Sequence, residues 1–233
     1  MRDAPSRPLD VLVSEVIEGV FAFVEDLHRE TVACHRAAAE RGERLTDDDI
    51  RGLAPGIGAR LREPGQIAVG LGLILEPSLL RTHPLRIEWW QRSAGSDEPV
   101  ETEFDLRPDS IGFYDYATTD WFAVPRRTRQ RHVVGPYVDV HGTDRYLLTL
   151  TMPIESGGDF LGVAGADVPL TVFETTILRH TGENEAAVVN HEGRVVLSTS
   201  SRWITGSLVP RAERRRSKPL PGLPWALIEP AGT

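Results

Sequence analysis

The stretch that decides the fold is residues 113–168, with the sequence FYDYATTDWFAVPRRTRQRHVVGPYVDVHGTDRYLLTLTMPIESGGDFLGVAGADV. Its second half contains two apolar runs, 146–154 and 160–168, which are typical of buried strands. The first run is predicted to pair with 137–140 as a hairpin. Residues 121–130 are predicted to form a short helix, with Pro125 in its first turn. The stretch therefore predicts an antiparallel sheet with a helical insertion.

The residues before this stretch predict helices and then further strands. Apolar residues recur at three- and four-residue steps through 9–40, which predicts one long amphipathic helix. Thr46-Asp47-Asp48-Asp49 has the form of a capping box that starts a second helix, and Pro55 and Gly56 should shorten or kink that helix. Strands are predicted at 69–75, 85–92 and 101–107.

The C-terminal part predicts a helix and a few short strands. The helix covers 170–180, a tight hairpin covers 186–190 and 194–198, and a final strand covers 225–228. The fold class is therefore α+β, with a long N-terminal helix followed by an antiparallel sheet with flanking helices.

The composition limits the class of protein. The chain has 233 residues, of which 40% are apolar, and a formal net charge of −8, which argues against a general nucleic-acid binder. The single cysteine, Cys34, excludes an intramolecular disulfide and a cysteine-based zinc site. No run approaches the roughly 18 apolar residues that span a bilayer, and the first residues contain no apolar signal core. We therefore expect a cytoplasmic protein with no membrane partner, no nucleic-acid partner and no cofactor.

The order of aromatic residues, carboxylates and glycines in 113–168 resembles the Cache family of extracytoplasmic small-molecule sensors, in particular the ligand-binding half of double-Cache domains. The resemblance implies a PAS-like antiparallel sheet with a ligand pocket, here as a soluble stand-alone variant. It also implies three segments. These are an N-terminal helical segment over 1–64, a ligand-binding module over 65–180 and a vestigial membrane-proximal-like module over 181–233.

The family's amino-acid pocket can be compared with this chain position by position. The residues that fit the family motif are Tyr114, Trp121, Tyr137, Asp139 and Asp167. Phe122 replaces a tyrosine of the motif, and Thr119 stands where the family has an arginine. With two neighbours added, the candidate ligand-binding residues are Tyr114, Tyr116, Thr119, Asp120, Trp121, Phe122, Tyr137, Asp139 and Asp167.

The missing arginine changes the ligand that the motif implies. In such a pocket a guanidinium binds the carboxylate of an amino acid, whereas aspartates and aromatic faces bind its ammonium group. Here the ammonium half is retained at Asp139 and Asp167, and Asp120 adds negative charge. The sequence therefore favours an amine or another cationic metabolite.

Other ligands stay open. Arg126, Arg127 or Arg145 could approach from another direction and restore the binding of an amino acid or another carboxylate. An uncharged ligand or a hydroxy acid would also fit Thr119.

Several candidate residues also have purely structural interpretations. Trp121 and Phe122 are aromatics of the kind that fill cores. Asp167 could cap the helix that follows Pro169, and Asp120 could cap the helix that starts at Trp121. On these interpretations the module is an interaction protein whose pocket binds nothing.

No other motif indicates a competing chemistry. His28 and His35 lie seven residues apart on one helix face, but no further ligand completes a metal site. The arginine clusters at 126–131 and 214–216 are interpreted as solvated faces. Gly-x-Ser-x-Gly is absent, and the sequence favours no enzyme class.

The resemblance implies a role in signalling. The chain has no recognisable output domain, so a signal would pass through a separate signalling or regulator protein, or through homodimerisation of 9–40. The alternative is a protein that sequesters its ligand without any output. A sensor should change its oligomeric state or its helix packing when it binds ligand, and a sequestering protein should not.

Overall fold

The computed structural model describes residues 7–92, 98–138, 146–182 and 184–230, and its first element is the long helix that the apolar periodicity predicts. Helix α1 extends over Leu9–Glu40. Its apolar stripe is buried, and Val13, Val24 and Leu27 are 0% exposed. The side of α1 that the sequence predicts to be apolar is therefore the side that packs.

Two short helices follow α1, where the sequence predicts one helix that is short or kinked. Helix α2 spans Asp47–Arg51 and helix α3 spans Ala54–Leu61. The predicted capping box is confirmed, since the Asp49 N–H donates to the Thr46 hydroxyl and the Thr46 N–H donates to the Asp49 carboxylate. Pro55 occupies the first turn of α3, where its missing N–H would have no partner in any case.

A six-stranded sheet is the centre of the fold. Its strands are β1 (Gly70–Leu75), β2 (Ile87–Arg92), β3 (Pro99–Glu101), β4 (His132–Val138), β5 (Tyr146–Ser156) and β6 (Asp159–Pro169). Their order across the sheet is β3-β2-β1-β6-β5-β4. Strand β1 is antiparallel to both β2 and β6, so β1 and β6 form the buried middle of the sheet.

Strand β3 is shorter than predicted. The sequence predicts a strand over 101–107, but β3 ends at Glu101. Phe104 and Leu106 leave the sheet edge and pack against a buried cluster on the sheet. The burial of these two apolar side chains favours the departure from the edge.

The helical insertion lies between β3 and β4. A turn of 3₁₀-helix at Tyr116–Thr118 leads into α4, which spans Asp120–Thr128. Pro125 lies inside α4 and not in its first turn, so that part of the prediction is wrong. After β6, helix α5 spans Leu170–Leu178.

One face of the sheet is covered by the insertion, and we call it the covered face. Ile74 of β1 is paired with Ile87 of β2 and with Val163 of β6, and the three side chains belong to one buried cluster. Aromatic residues of the segment 104–122 pack against this cluster. Because alternate residues of a strand point to opposite faces, every second residue of β1, β2 and β6 belongs to the covered face.

A second, four-stranded sheet follows α5. Its strands are β7 (Ala187–Asn190), β8 (Val195–Ser198), β9 (Lys218–Pro219) and β10 (Trp225–Ile228), in the order β8-β7-β10-β9. The short helix α6, Arg211–Arg214, precedes β9. The buried core of this second sheet includes Val189, Val195 and Trp203. The predicted hairpin and final strand are confirmed, whereas the segment boundaries at 64 and 180 stay a prediction.

Candidate ligand-binding site

Three glycines allow one tryptophan to lie across the middle of the covered face. Trp89 is paired with Gly72, which is paired in turn with Gly165. A Cβ atom on Gly72 would lie 2.7 Å from Trp89 Cε3, and one on Gly70 would lie 2.9 Å from Trp89 Nε1. The indole also reaches Gly165, where a Cβ would lie 3.5 Å from Trp89 Cη2. The indole therefore occupies space that side chains at these positions would fill.

Asp167 lies at the polar end of the same face. It is paired with Gly70, whose partner on the other side is Gln91. Asp167 is 6% exposed, and its Oδ1 accepts a hydrogen bond of 2.5 Å from Thr149 Oγ1. Asp167 Oδ2 and Trp89 Nε1 approach the same point, since they lie 3.1 and 2.9 Å from the position of a Gly70 Cβ. A buried carboxylate thus borders the tryptophan.

The covered face changes from apolar to polar along its strands. Ile74 and Val163 occupy the apolar end, and Gln91 and Asp167 occupy the other end. A buried carboxylate beside an apolar surface suits a ligand that combines a cationic group with an apolar body.

Tyr114 and Trp121 form the aromatic cover of this face. Tyr114 stacks on Phe104 with 5.2 Å between ring centroids and 16° between ring planes. Trp121 lies 6.3 Å from Tyr114 at a tilt of 33°. Both rings are half-buried and pack against the cluster that contains Trp89. Both are predicted site residues that lie on the covered face, as Asp167 does, and the predicted residues Tyr116 and Phe122 belong to the buried cluster itself.

The position of Trp121 depends on a hydrogen bond from the sheet. Pro125 has no N–H and cannot donate to the Trp121 carbonyl one helical turn earlier. Thr151 Oγ1 of β5 donates to that carbonyl at 2.7 Å. Thr151 is 0% exposed, and a Cβ on Gly165 would lie only 2.8 Å from its methyl carbon. A threonine of the covered face therefore replaces the bond that proline removes from α4.

Two predicted site residues are fully buried. Tyr116 is 1% exposed, and its hydroxyl donates to the Leu75 carbonyl at 2.8 Å. Burial raises the pKa of Tyr116 to about 12, so this hydroxyl stays protonated at neutral pH. Phe122 is 0% exposed and packs edge-on against Tyr116 and Phe160, with centroids 5.2 and 5.7 Å away. The contacts of both side chains are with the protein core.

The remaining predicted residues lie at the start of α4 and around β4. The Thr119 hydroxyl donates to the Tyr116 carbonyl at 2.7 Å. Asp120 is exposed and is the first residue of α4, where its charge suits the helix dipole. Tyr137 is half-buried in β4, and Asp139 lies outside the described residues.

The arginines that could replace the missing guanidinium have other surroundings. Arg126 forms an ion pair with Glu76. Arg127 is exposed in the last turn of α4. Arg145 lies outside the described residues. Arg126 is thus already paired with a carboxylate of the protein.

Sequence reasoning missed Trp89, Gln91 and Thr149. The alternation of Gly70 and Gly72 in a strand is a signal of close approach by another group. It could have predicted a large neighbour, but the identity of that neighbour depends on the register between β1 and β2. Nothing local in the sequence fixes that register.

Comparison with known proteins indicates a sensor fold. The family model described as "Methyl-accepting chemotaxis protein-like, first PDC sensor domain" matches residues 96–175. Methyl-accepting chemotaxis protein X is 13% identical, with 94% of this chain and 92% of that chain covered and a TM-score of 0.67. The extracellular domain of the histidine kinase soHK1S-Z6 is 13% identical, with 95% and 88% covered and a TM-score of 0.63. The ligand-binding domain of the Pseudomonas aeruginosa PAO1 amino acid chemoreceptor PctC, in complex with GABA, is 19% identical, with 93% and 92% covered and a TM-score of 0.52.

These likenesses confirm the predicted fold class. A long N-terminal helix with PAS-like antiparallel sheets and flanking helices is the architecture of this chain and of the matched structures. The sequence resemblance is confirmed at the level of a PDC sensor fold. The double-Cache assignment and the stand-alone variant stay predictions. The three structures are a chemotaxis protein, the extracellular domain of a histidine kinase and the ligand-binding domain of a chemoreceptor.

The expected cytoplasmic location is wrong. The soHK1S-Z6 structure is an extracellular domain, and the matching family model is that of a chemotaxis-receptor sensor domain. The expectation relied on the absence of an apolar run, which is a weak guide to the side of the membrane on which a domain lies. Within the described ranges, no helix combines the length and apolarity needed to cross a membrane.

The glycine positions under Trp89 yield a stability prediction. A Cβ in Gly72→Ala would lie 2.1 Å from the Glu88 carbonyl oxygen, so the backbone or the indole must shift. We expect the free energy of unfolding to fall by about 1–3 kcal/mol, the usual cost of overpacking. Gly19→Ala is the control, because a Cβ there has no neighbour within 4 Å, and it should raise the stability by roughly 0.5–1 kcal/mol. Urea denaturation measures both, and equal stabilities of Gly72→Ala and the parent chain would contradict this account.

The link between Thr151 and α4 yields a second prediction. Thr151→Val leaves the Trp121 carbonyl without its 2.7 Å donor, which should cost about 1–3 kcal/mol. In a Pro125→Ala background the new N–H can donate to the same carbonyl, so Thr151→Val should cost clearly less there. A double-mutant cycle by urea denaturation measures the coupling. The same cost in both backgrounds would show that Thr151 does not replace the bond lost to proline.

Proposed function

We propose that this chain is a small-molecule-binding sensor domain for an amine or another cationic metabolite, and that Asp167 accepts hydrogen bonds from the ligand's ammonium group. The observation that supports the proposal most directly is the buried carboxylate of Asp167 beside Trp89 on the covered face. The predicted module 65–180 is the segment to which we assign ligand binding.

The carboxylate of Asp167 supplies the charge in this proposal. A carboxylate that is 6% exposed is costly unless hydrogen bonds or a cation offset its desolvation. The Thr149 hydroxyl is one of the partners that Asp167 has within the protein. A primary ammonium group would add a positive charge and three N–H donors. The site is thus suited to a cation.

The aromatic residues supply the shape. Trp89 crosses the middle of the covered face, and Tyr114 and Trp121 pack against the same cluster. An ammonium group within about 6 Å of such a ring gains roughly 0.5–2 kcal/mol from the ring's negative face. The rings would also contact the apolar body of an amine.

The surroundings of Thr119 support an amine over an α-amino acid. The residue at this position is neutral, and its hydroxyl already donates to the Tyr116 carbonyl. Arg126, the first arginine after Trp121 in the sequence, forms an ion pair with Glu76. The carboxylate of an α-amino acid therefore finds no guanidinium at position 119, where the family motif supplies one.

An amino acid is the second candidate ligand. PctC is an amino acid chemoreceptor whose ligand-binding domain was solved with GABA. GABA has an ammonium group at one end and a carboxylate at the other. With such a ligand, Asp167 would keep its role and a different donor would bind the carboxylate.

The output of the sensor is proposed to pass through the N-terminal helix. The segment 9–40 would form a homodimer contact or a contact with a separate signalling protein, and ligand binding would change its packing. A protein that only sequesters its ligand would show no such change.

A thermal-shift screen with five probes tests the proposed ligand class. The probes are putrescine, choline, GABA, L-valine and L-lactate. A probe at 100 times its dissociation constant should add about 2.7 kcal/mol to the free energy of unfolding. We expect a shift with putrescine, a primary amine, that disappears in Asp167→Asn. Choline has the charge but no N–H to donate to Asp167, so its shift should be smaller. The matched control is Asp159→Asn, an exposed carboxylate at the opposite end of β6, which should keep the shift.

The other outcomes are equally informative. Shifts with GABA or L-valine alone would contradict the amine and favour the amino acid. A shift with L-lactate alone would contradict both and indicate a carboxylate ligand. A shift that Asp167→Asn keeps would remove Asp167 from the site. No shift with any probe would contradict the sensor proposal itself.

A further inference from the structure

The second sheet has a cavity that the sensor function does not use. Its volume is about 780 Å³, and it is lined by residues of β7, α6, β9 and β10 and of the turns that join them. This is within the range of about 300–1,000 Å³ that is usual for small-molecule sites. Leu223, Pro224 and Trp225 form part of an apolar wall. Polar residues line the rest.

The charge of the lining has one sign. Arg211, Arg214 and Arg215 line the cavity, and none of its described lining residues is acidic. This is unexpected in a chain with a formal net charge of −8. Arg211 and Arg215 are exposed, and neither forms an ion pair with a described residue. The cavity therefore has an excess of positive charge that no described residue neutralises through an ion pair.

The one acidic residue of α6 is directed elsewhere. The Glu213 carboxylate accepts hydrogen bonds from Trp203 Nε1 at 2.8 Å and from Arg202 Nη2 at 3.1 Å. The bond from Trp203 is the main reason that the pKa of Glu213 is lowered. Glu213 is thus held as an anion on the Trp203 side, and it is not among the residues that line the cavity.

Arg214 is held in place by the turn between β7 and β8. Its Nη1 donates to the Glu192 carbonyl at 2.6 Å. Its side chain lies across Gly193, where a Cβ would be 2.3 Å from Arg214 Cδ, and Gly193 also has a φ of +82°. Position 193 therefore favours glycine for two reasons, the positive φ of its backbone and the arginine side chain that crosses it.

Two buried donors of the lining residues have no acceptor within the described part of the chain. They are Arg214 Nε and Trp225 Nε1. A buried N–H without an acceptor is costly. A ligand with several acceptor oxygens that reached either donor would offset this cost.

We propose that this cavity binds the phosphate group of a small organic phosphate. One guanidinium satisfies a carboxylate bidentately, whereas three guanidiniums match an anion with more oxygens and more charge. The volume exceeds what inorganic phosphate needs, and the wall at Leu223, Pro224 and Trp225 suits an organic part. The same phosphate chemistry is present in a soluble metabolite and in a phospholipid headgroup.

Calorimetric titration with glycerol 3-phosphate tests the proposal. Glycerol, which lacks the phosphate, and glycerate, which has a carboxylate in its place, are the matched probes. We expect saturable binding of glycerol 3-phosphate only, weakened at least about tenfold in the double variant Arg211→Gln/Arg215→Gln, which corresponds to roughly 1.4 kcal/mol. Both residues are exposed, so the double variant should fold. Its thermal unfolding checks this.

Arg216→Gln is the control variant. It removes one positive charge from the same cluster of arginines, where the double variant removes two, and Arg216 does not line the cavity. Equal weakening by Arg216→Gln would indicate diffuse electrostatic attraction and overturn the proposal. Equal binding of glycerate would overturn the choice of phosphate.

A second arm separates the two sources of the phosphate. Co-sedimentation with vesicles of phosphatidylglycerol in phosphatidylcholine measures binding to a lipid headgroup. Vesicle binding that the double variant loses and Arg216→Gln keeps would identify a lipid phosphate as the source. Binding of glycerol 3-phosphate without vesicle binding would identify a soluble one. Binding of neither probe would overturn the proposal.

Discussion

The absence of side chains at Gly70, Gly72 and Gly165 is the constraint on which the candidate site depends. These glycines lie on one face of β1 and β6, and Trp89 crosses all three. A methyl group at any of them would displace the indole or press on a neighbouring strand. The space left by these glycines also places the indole next to Asp167. An aromatic surface and a buried carboxylate therefore meet at one end of the covered face.

The helical insertion completes this site through one compensated defect. Proline inside α4 removes a donor, and Thr151 of the sheet supplies another, which attaches the helix to the covered face at Trp121. Tyr116 lies in the 3₁₀ turn before α4, and Phe122 directly follows Trp121. Both side chains are buried and hold the insertion against the sheet. The insertion therefore divides its aromatic residues between packing and the border of the site. The fold is that of PDC-type sensors, and the matched structures include the extracellular domain of a histidine kinase and a chemoreceptor ligand-binding domain.

What the sequence could predict follows from how local each signal is. The periodicity of 9–40 predicted α1 with its observed ends, and the capping box at Thr46 predicted the start of α2, because both patterns involve neighbouring residues. Strand β3 and the place of Pro125 were predicted wrongly, since packing of Phe104 and the hydroxyl of Thr151 decide them. Trp89 was missed for the same reason, as only the strand register brings it to Asp167. The cytoplasmic location failed because it was inferred from an absence. The roles of the predicted site residues, including Asp139, stay predictions.

The measurement that tests the central claim most directly is a crystal structure of the chain with the amine that gives the largest thermal shift. The account predicts that the ammonium nitrogen lies about 2.7–3.0 Å from an Asp167 carboxylate oxygen and within about 6 Å of the centroid of Trp89, Tyr114 or Trp121. An amine bound away from the covered face, or bound with its nitrogen turned from Asp167, would contradict it.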